Sequence, residues 1–543
     1  MKILNKVFNY IENKQITIKD IFITLFAFLI IRNFFEIGYK NNMIIYASDD
    51  ILYSLNIMFF TYGFYWFFLY FLLCLTLYTI TRKNNTIRQV LNIGLFSMLI
   101  IFLGPFIDMI ADNKSGMAYP TNPLEMFTQI QYWLHLDRDI SKLTPGMRYE
   151  TLLACTSGIF YTFYKTKKII LSVATFPILF TVISISGLWP SLLGQIISGG
   201  LSFTEEVSFK GSIVAYNGMI IEFGFVRWGL IYLISSFFLA STVYYIINKE
   251  QFIAIIKNFR ITRSLHYLLL FFAGVFFSYH IQSIDSDFEA TRGILNVIDF
   301  FDIGAAAFAG FLSFQAAVIF NDISDISSDK MLEYNRPLVK SKISKEQYKF
   351  IGFLFLIYSL FIAFIIGIEF FIIISILNSF SYLYSNYPIR LKKYLIVNNM
   401  ILGLIALTSF YLGLSIFFEN KSIMYAEKYI PNISLILFAG YTIATTIKDP
   451  KDFEGDKAAG IQTLVTVFGM KAGKIIIASL IAILIVSMPQ MLNIKELTAL
   501  SGITALIFLI LFFAIKKNEL WIFLTYFAFM IVLFYRLIGT LVQ

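Results

Sequence analysis

Long apolar segments constrain the fold of this 543-residue chain more than any other feature. A helix needs about 20 consecutive apolar residues to cross a bilayer. Hydrophobic residues make up 58% of the chain and charged residues only 14%, far from a soluble composition. The pattern predicts an all-α polytopic membrane protein with about 15 transmembrane helices, because a β-barrel would show short alternating segments instead. Examples of the apolar runs are 22–37, 55–80, 169–188, 353–376 and 505–515.

Basic and acidic residues alternate between the loops that join these runs. If the N-terminus is cytoplasmic, one set of loops carries the basic groups at 2–19, 82–88, 165–168 and 249–263. The other set carries the acidic groups at 49–50, 137–139, 205–206 and 285–289. This is the positive-inside pattern of a multi-pass protein of the cell membrane. It accounts for the net charge of +9 without a nucleic-acid partner, and it predicts an external C-terminus.

The apolar runs divide into two groups, six before residue 248 and nine after residue 262. Residues 1–247 are predicted to form a six-span domain of unassigned role, and 248–262 a basic linker along the membrane interface. The first span is interpreted as retained, since no small-residue cleavage site follows it. Within the first domain, 112–150 is interpreted as a long outer loop, and Arg32 as a residue that snorkels to the interface. Neither the two cysteines nor the three scattered histidines predict a disulfide framework or a zinc site.

Two aspartate clusters in the second half of the chain share one spacing. Carboxylates at Asp322, Asp325 and Asp329, and at Asp449, Asp452 and Asp456, fall at i, i+3 and i+7, which places them on one face of a helix. Like charges stacked in this way repel and favour a bound cation. Hard oxygen ligands suit Mg²⁺, which commonly bridges carboxylates to a substrate's phosphate oxygens. Both clusters lie at the predicted cytoplasmic ends of apolar runs.

These motifs resemble those of the UbiA-type intramembrane prenyltransferases. Residues 321–329 with the following Asn-Arg-Pro-Leu, 335–338, are similar to the first family signature, and 449–456 with 460–469 to the second. Residues 387–392 are similar to the basic segment between them, and 263–267 to the family's opening helix. The resemblance covers residues 260–543 and implies a nine-helix prenyltransferase domain over 263–543. It implies nothing about residues 1–250.

The resemblance also implies the residues of a site. Asp322, Asp325, Asp449 and Asp452 would be catalytic, and Mg²⁺ would be held by these four with Asn321, Asp329 and Asp456. The diphosphate of a polyprenyl donor would be bound by Asn321, Arg336, Tyr387, Arg390, Lys392, Lys457 and Arg263.

The implied activity is Mg²⁺-dependent transfer of a polyprenyl group from its diphosphate to an acceptor at the cytoplasmic face of the membrane. The sequence around the second cluster resembles the branch acting on homogentisate, chlorophyllide and glycerol-phosphate lipids, so the acceptor is a small aromatic molecule or a lipid. Two alternatives stay open. One is transfer of a sugar phosphate to a polyprenyl phosphate, and the other is a non-catalytic transporter or scaffold for isoprenoid lipids.

Overall fold

The structure is a computed structural model that describes most of the chain. The regular structure of the described residues is entirely α-helix and short 3₁₀-helix, which confirms the all-α prediction. The described residues are 2–39, 62–112, 133, 143–197, 222–284, 297–331, 336–417, 427–430, 432–514 and 520–542.

The described residues contain 11 helical segments long and apolar enough to cross a membrane. Four of them precede residue 250 and seven follow it. The protein is therefore a multi-pass membrane protein, although the predicted total of about 15 spans is not confirmed. The apolar run 353–376 belongs to two helices rather than one, because the chain leaves the helical conformation at Gly367.

The chain separates into two compact units. Unit 1 comprises Met1–Ile253 with Asn296–Ile298, and unit 2 comprises Ala254–Leu295 with Asp299–Gln543. The predicted division at residues 248–262 stays a prediction. The boundary between the units falls within a helix, Lys249–Lys257, labelled α9 below. The helices before it are α1 Lys2–Glu12, α2 Ile18–Tyr39, α3 Tyr62–Thr81, α4 Ile87–Ser97, α5 Leu103–Ile110, α6 Pro145–Thr166, α7 Ile169–Ile197 and α8 Glu222–Ile247.

Two expectations for unit 1 are wrong. Arg32 does not snorkel: it is 2% exposed, its guanidinium lies 4.9 Å from the Trp66 ring and its Nε donates to the Ile101 carbonyl. The interpreted loop 112–150 ends earlier, because α6 begins at Pro145. The Thr144 hydroxyl accepts a hydrogen bond from the Met147 N–H, and proline is favoured in a first turn.

The helices of unit 2 pack closely against one another. Its α-helices after α9 are α10 Ile261–Ile284, α11 Val297–Ser324, α12 Ile326–Met331, α13 Lys345–Ile366, α14 Ile368–Ser385, α15 Val397–Leu414, α16 Ile433–Ala444, α17 Asp449–Ala458, α18 Leu464–Phe468, α19 Met470–Met491, α20 Thr498–Ala514 and α21 Leu520–Val542. Glycines bring the backbones of α10 and α15 together. A Cβ atom on Gly274 would lie 2.1 Å from the Phe410 carbonyl oxygen, and one on Gly413 would lie 1.9 Å from that of Phe271. Small residues commonly allow such packing between membrane helices.

Candidate active site

The first aspartate cluster lies where α11 passes into α12. Helical hydrogen bonds continue through this junction, from the Asp325 N–H to the Asn321 carbonyl and from the Asp329 N–H to the Asp325 carbonyl, both 2.9 Å. Asp322 and Asp329 therefore stay on the same side of the backbone. Arg336 reaches both, at 2.9 Å from Asp322 and in direct contact with Asp329. The shared face predicted from the spacing is present.

Asp322 is enclosed by hydrogen-bond donors and is only 1% exposed. Besides Arg336, its carboxylate accepts from Asn258 Nδ2 at 2.7 Å, Arg260 at 2.6 Å and the Tyr348 hydroxyl at 3.3 Å. Asn258 and Arg260 lie in the segment interpreted as a linker, and Tyr348 lies one turn into α13. These three site residues are absent from the sequence prediction.

Asp325 binds the basic segment that follows α14. Its carboxylate pairs with Arg390 at 2.7 Å and with Lys392 at 2.5 Å. Arg390 also donates to the Tyr387 hydroxyl at 2.9 Å. The Asn321 side-chain carbonyl accepts from Lys392 at 3.1 Å. The structure thus brings the predicted phosphate-binding residues into contact with the predicted metal ligands of the first cluster.

The backbone of Arg390 has a φ of 46°, in the left-handed region that residues other than glycine seldom occupy. Its N–H donates to the Asn386 carbonyl at 2.8 Å, and its side chain is held by Asp325 and Tyr387. Such conformations persist where surrounding contacts determine them, often at functional sites. Arg390 and Lys392 are both nearly buried, and burial lowers the pKa of Lys392 while Asp325 opposes that shift.

The second cluster occupies the short helix α17 and has a different electrostatic environment. Asp449 is 1% exposed, Asp456 is half-buried and Asp452 is exposed. Among the described residues none of the three has an ion-pair partner, and Asp449 Oδ2 lacks a hydrogen-bond partner. Asn399 is buried in the first turn of α15, and its side chain opposes the rise in the pKa of Asp449. Its own Oδ1 also lacks a hydrogen-bond partner among the described residues. Asn399 is a further residue that sequence reasoning missed.

The pKa values of the carboxylates follow these environments. Burial raises the pKa of Asp449 to about 7, against the nearby Lys448 and with a contribution from Asp456. Burial and the charge of Asp452 raise the pKa of Asp456 to about 6. In the first cluster, burial raises the pKa of Asp329 to about 6 despite the opposing charge of Arg336. Burial thus raises the pKa of a carboxylate in both clusters, and Arg336 opposes the rise in the first.

The two clusters interact electrostatically with the same neighbouring side chains. The charges of Asp325, Asp449 and Asp456 all act on the buried Tyr384 hydroxyl, and that of Lys392 acts on Asp456. A backbone hydrogen bond of 3.0 Å from the Gln462 N–H to the Lys393 carbonyl ties the segment after α17 to the basic segment. Tyr384 and the basic segment thus lie near both clusters.

Two predicted substrate-binding residues are placed differently from the rest. Arg263 is exposed and forms no ion pair with any described residue. Its charge is close enough to interact electrostatically with Arg260 and Tyr384. Lys457 is exposed, with its ammonium 5.9 Å from the Phe453 ring. Neither contacts a carboxylate of the described clusters. Their assignment to substrate binding stays a prediction.

The donor set fits a hard divalent cation at the second cluster better than at the first. No three His, Cys, Asp or Glu side chains of the described residues already converge as a metal site. Asp449 Oδ2 and Asn399 Oδ1 are nevertheless buried, unpartnered oxygen atoms, and oxygen is the ligand that Mg²⁺ prefers. In the first cluster, arginine and lysine groups already occupy Asp322, Asp325 and Asp329.

Apolar cavities lie beside the charged groups of unit 2. One of about 560 Å³ runs between α11, α13 and α14, where it is lined by Phe320, Leu356 and Leu360 and reaches Asn386 next to Tyr387. A smaller one of about 30 Å³ lies between α10, α11, α14 and α15 and is lined by Tyr267 and Phe314. Space for an apolar chain is therefore available next to the polar residues.

Comparisons with known proteins bear on the same part of the chain. Residues 290–521 match the model of the UbiA prenyltransferase family. A protein of Methanococcus aeolicus named digeranylgeranylglyceryl phosphate synthase is 33% identical over 180 residues, which are 32% of this chain and 58% of that protein. A protein of the same name from Sulfurisphaera tokodaii is 29% identical over 170 residues, 31% of this chain and 58% of that protein. The chain thus spans little more than half the length of these curated relatives.

Solved structures cover a larger share of the chain. The structure of a UbiA homolog from Archaeoglobus fulgidus bound to DMAPP and Mg²⁺ is 20% identical, with a TM-score of 0.40 over 53% of this chain and 98% of that one. The family match, and the order of the motifs along unit 2, confirm the resemblance seen in the sequence. Residues 290–521 of this chain are thus similar to the UbiA prenyltransferase family, whose model they match.

Proposed function

We propose that unit 2 transfers a polyprenyl group from a polyprenyl diphosphate to an acceptor in a reaction that requires Mg²⁺. One observation carries the proposal: two carboxylate clusters lie near one basic segment, and among the described residues only the first cluster has ion-pair partners. The first cluster is neutralised by arginine and lysine, and the second lacks a cation. A diphosphate with its magnesium ions supplies both the anion that the basic residues bind and the cation that the second cluster needs.

In this proposal, Asp449, Asp452 and Asp456 hold Mg²⁺ with help from Asn399. The metal, when bound, neutralises charge that grows on the departing diphosphate. Arg390 and Lys392 leave Asp325 for diphosphate oxygens, since guanidinium and ammonium groups bind phosphate well. Asp325 is then available as a further metal ligand. Asp322 accepts hydrogen bonds from four donors, so its proposed role is to hold Arg260 and Arg336 near the phosphates.

The chemistry of the proposed reaction balances without a redox partner. The allylic C–O bond of the donor breaks, its electron pair leaves with the diphosphate, and a carbocation remains. A nucleophilic atom of the acceptor forms the new bond and loses a proton. The cavity beside Asn386 offers apolar walls for the prenyl chain, which exclude water from the carbocation.

For the acceptor we propose a glyceryl phosphate lipid. The proposal is supported by the name shared by the curated relatives, digeranylgeranylglyceryl phosphate synthase. A hydroxyl of such a lipid would become an ether oxygen. An aromatic acceptor remains the alternative to be tested beside it.

For the orientation we propose cytoplasmic aspartate clusters and an external C-terminus. Lys340, Lys342 and Lys345 follow the first cluster, and Arg390, Lys392 and Lys393 form the basic segment on the same side. An excess of Lys and Arg in short loops marks the cytoplasmic face.

The test is an assay of the purified full-length protein with geranylgeranyl diphosphate and Mg²⁺. Diphosphate release and a mass-spectrometric product are measured with geranylgeranylglyceryl phosphate, homogentisate or no acceptor. Release that requires the glyceryl lipid, with an ether product, supports the proposal in full. Release only with a sugar-phosphate donor and a polyprenyl phosphate would replace it, and donor binding without release would indicate a transporter or scaffold.

A further inference from the structure

Unit 1 contains a cavity that the proposed reaction does not use. The described part of the unit surrounds about 290 Å³ between α3, α4, α6 and α7, with walls that include Trp66, Tyr70, Leu73, Ile101 and Ile183. Protein interiors are close-packed, with few voids larger than a water molecule. An engineered apolar cavity of about 150 Å³ already binds benzene. A cavity of this size is large enough for a ligand.

A carboxylate lines this apolar space. Glu150 on α6 is 4% exposed, and its Oε1 accepts a hydrogen bond of 2.8 Å from the Gly104 N–H. Two glycines allow the approach: a Cβ on Gly104 would lie 2.1 Å from Glu150 Oε1, and one on Gly146 would lie 2.2 Å from the Gly104 carbonyl oxygen. The position of the carboxylate at the cavity wall is therefore fixed by backbone contacts.

Glu150 is one of five buried charged residues in the described part of this unit, with Glu12, Arg32, Asp108 and Arg148, all 5% exposed or less. Asp108 accepts from the Gly146 N–H at 2.7 Å, and Arg148 donates to the Trp133 carbonyl at 3.0 Å. Burial of a charged group is costly unless the group is paired or hydrogen-bonded, so a buried carboxylate beside an apolar cavity is a candidate for binding a ligand. Of these five, only Glu150 lines the cavity.

The cavity borders the amphipathic helix α1. Phe8 of α1 lines it and packs edge-on against Tyr161, with ring centroids 5.6 Å apart. Glu12 holds α1 in place, because its carboxylate accepts from the Tyr161 hydroxyl at 2.8 Å and pairs with Lys165 at 2.9 Å. Phe160, which is 52% exposed, lies at the same part of the wall.

We infer that unit 1 binds a neutral apolar molecule with a hydroxyl head group, that is, a long-chain or isoprenoid alcohol. The hydroxyl donates to the Glu150 carboxylate, which as an anion only accepts hydrogen bonds. The chain lies among Trp66, Tyr70 and Ile183. The same carboxylate has no hydrogen to donate to phosphate or carboxylate oxygens, so the ligand differs in class from the diphosphate proposed for unit 2. The inference stands independently of the proposed prenyl transfer.

The test is photolabelling of the full-length protein, in detergent at pH 8, with a ten-carbon alcohol that carries a diazirine in mid-chain. Labelled residues are mapped by mass spectrometry, with decanol, decanoate and decane as competitors. We expect labels on residues of the cavity wall. Decanol is expected to compete about tenfold better than decanoate or decane, the scale of one hydrogen bond to a charged group.

Two variants of α6 form a matched pair. Ala154 lines the cavity, whereas Thr156, two residues away, is exposed and does not. Ala154→Phe should reduce cavity labelling about tenfold or more, and Thr156→Phe should leave it within about twofold of the wild type. Glu150→Gln places an N–H donor at the same position and should remove the preference for decanol over decanoate.

Three results would overturn the inference. The first is equal labelling in Ala154→Phe and Thr156→Phe, which would indicate that the probe binds outside the cavity. The second is decanoate competing as well as decanol, which would exclude recognition of the head group by Glu150. The third is labelling confined to exposed apolar residues outside the cavity, such as Val173, which would indicate ordinary partitioning into detergent.

Discussion

Asp449→Asn is expected to stabilise the metal-free protein while it removes the proposed activity. The folded protein buries this carboxylate and gives it no ion-pair partner among the described residues, which raises its pKa from 3.8 to about 7. A shift of about three pKa units corresponds to about 4 kcal/mol between the charged and neutral forms. Burial of the asparagine amide costs about 2 kcal/mol in return. The net gain at pH 8 is then about 2 kcal/mol, or about 4 °C in Tm.

Asp322→Asn is the matched control, because Asp322 is equally buried at 1% exposure but accepts from Arg260, Arg336, Asn258 and Tyr348. Removal of its charge weakens charge-assisted hydrogen bonds worth about 1.5–3 kcal/mol each. The same substitution should therefore lower the Tm by several degrees. The assay is thermal unfolding in detergent without Mg²⁺, followed by tryptophan fluorescence.

The pH dependence of the Tm provides a second test of the same prediction. Because the folded pKa of Asp449 lies above its unfolded value, the folded state binds more protons between about pH 4 and pH 7. Stability from this group is present at low pH and is lost as the pH rises through about 7. The wild type should thus gain less stability than Asp449→Asn when the pH is raised from 5.5 to 8. Added Mg²⁺ at pH 8 should raise the Tm of the wild type only.

Either of two results would refute this reasoning. A fall in Tm for Asp449→Asn as large as that for Asp322→Asn would mean that Asp449 has a stabilising partner in the folded protein. An equal rise in Tm with Mg²⁺ for the wild type and Asp449→Asn would place the metal elsewhere.

The basic segment, the topology and the unit boundary give further predictions. Arg390→Ala should raise the KM for the donor about tenfold or more and change the KM for the acceptor little. Lys393→Ala should leave the donor KM unchanged, because Lys393 lies outside the Asp325 ion pairs. Equal effects on both substrates would contradict diphosphate binding by the basic segment. Cysteine at the exposed position Lys342 should react with impermeant thiol reagents from the cytoplasmic side, and cysteine at Glu496 from outside; the reverse would invert the topology. A fragment of residues 248–543 keeps Arg260 and should still release diphosphate. A fragment that folds well but is inactive would disprove this prediction.

The sequence predicts the site well where the information is local. Spacing of i and i+7 places Asp322 and Asp329 on one face, and Arg336 does reach both. The order of apolar runs predicts a helical membrane protein, since the bilayer admits few alternatives. These predictions need only helix periodicity and segment length.

Contacts between distant residues are what the sequence could not predict. Arg260 lies 62 residues from Asp322, and its charge in a basic segment is equally well explained by the positive-inside rule. Asn399 carries no charge, so nothing in its sequence context distinguishes it from an ordinary helix start. The burial of Glu150 beside an apolar cavity depends on the approach of α5 and α6 at Gly104 and Gly146. Such packing arises only when the helices meet.

The central claim is that both aspartate clusters serve one magnesium-bound diphosphate. The most direct measurement is a double-mutant cycle on kcat/KM for prenyl transfer with Asp325→Asn, Asp452→Asn and the double variant. Each single change should reduce kcat/KM by about 10²-fold or more, the scale for loss of a main electrostatic stabiliser. One shared site predicts that the double variant is about as active as the weaker single variant. Losses that multiply would show two independent sites, and near-normal transfer in either single variant would contradict the claim outright.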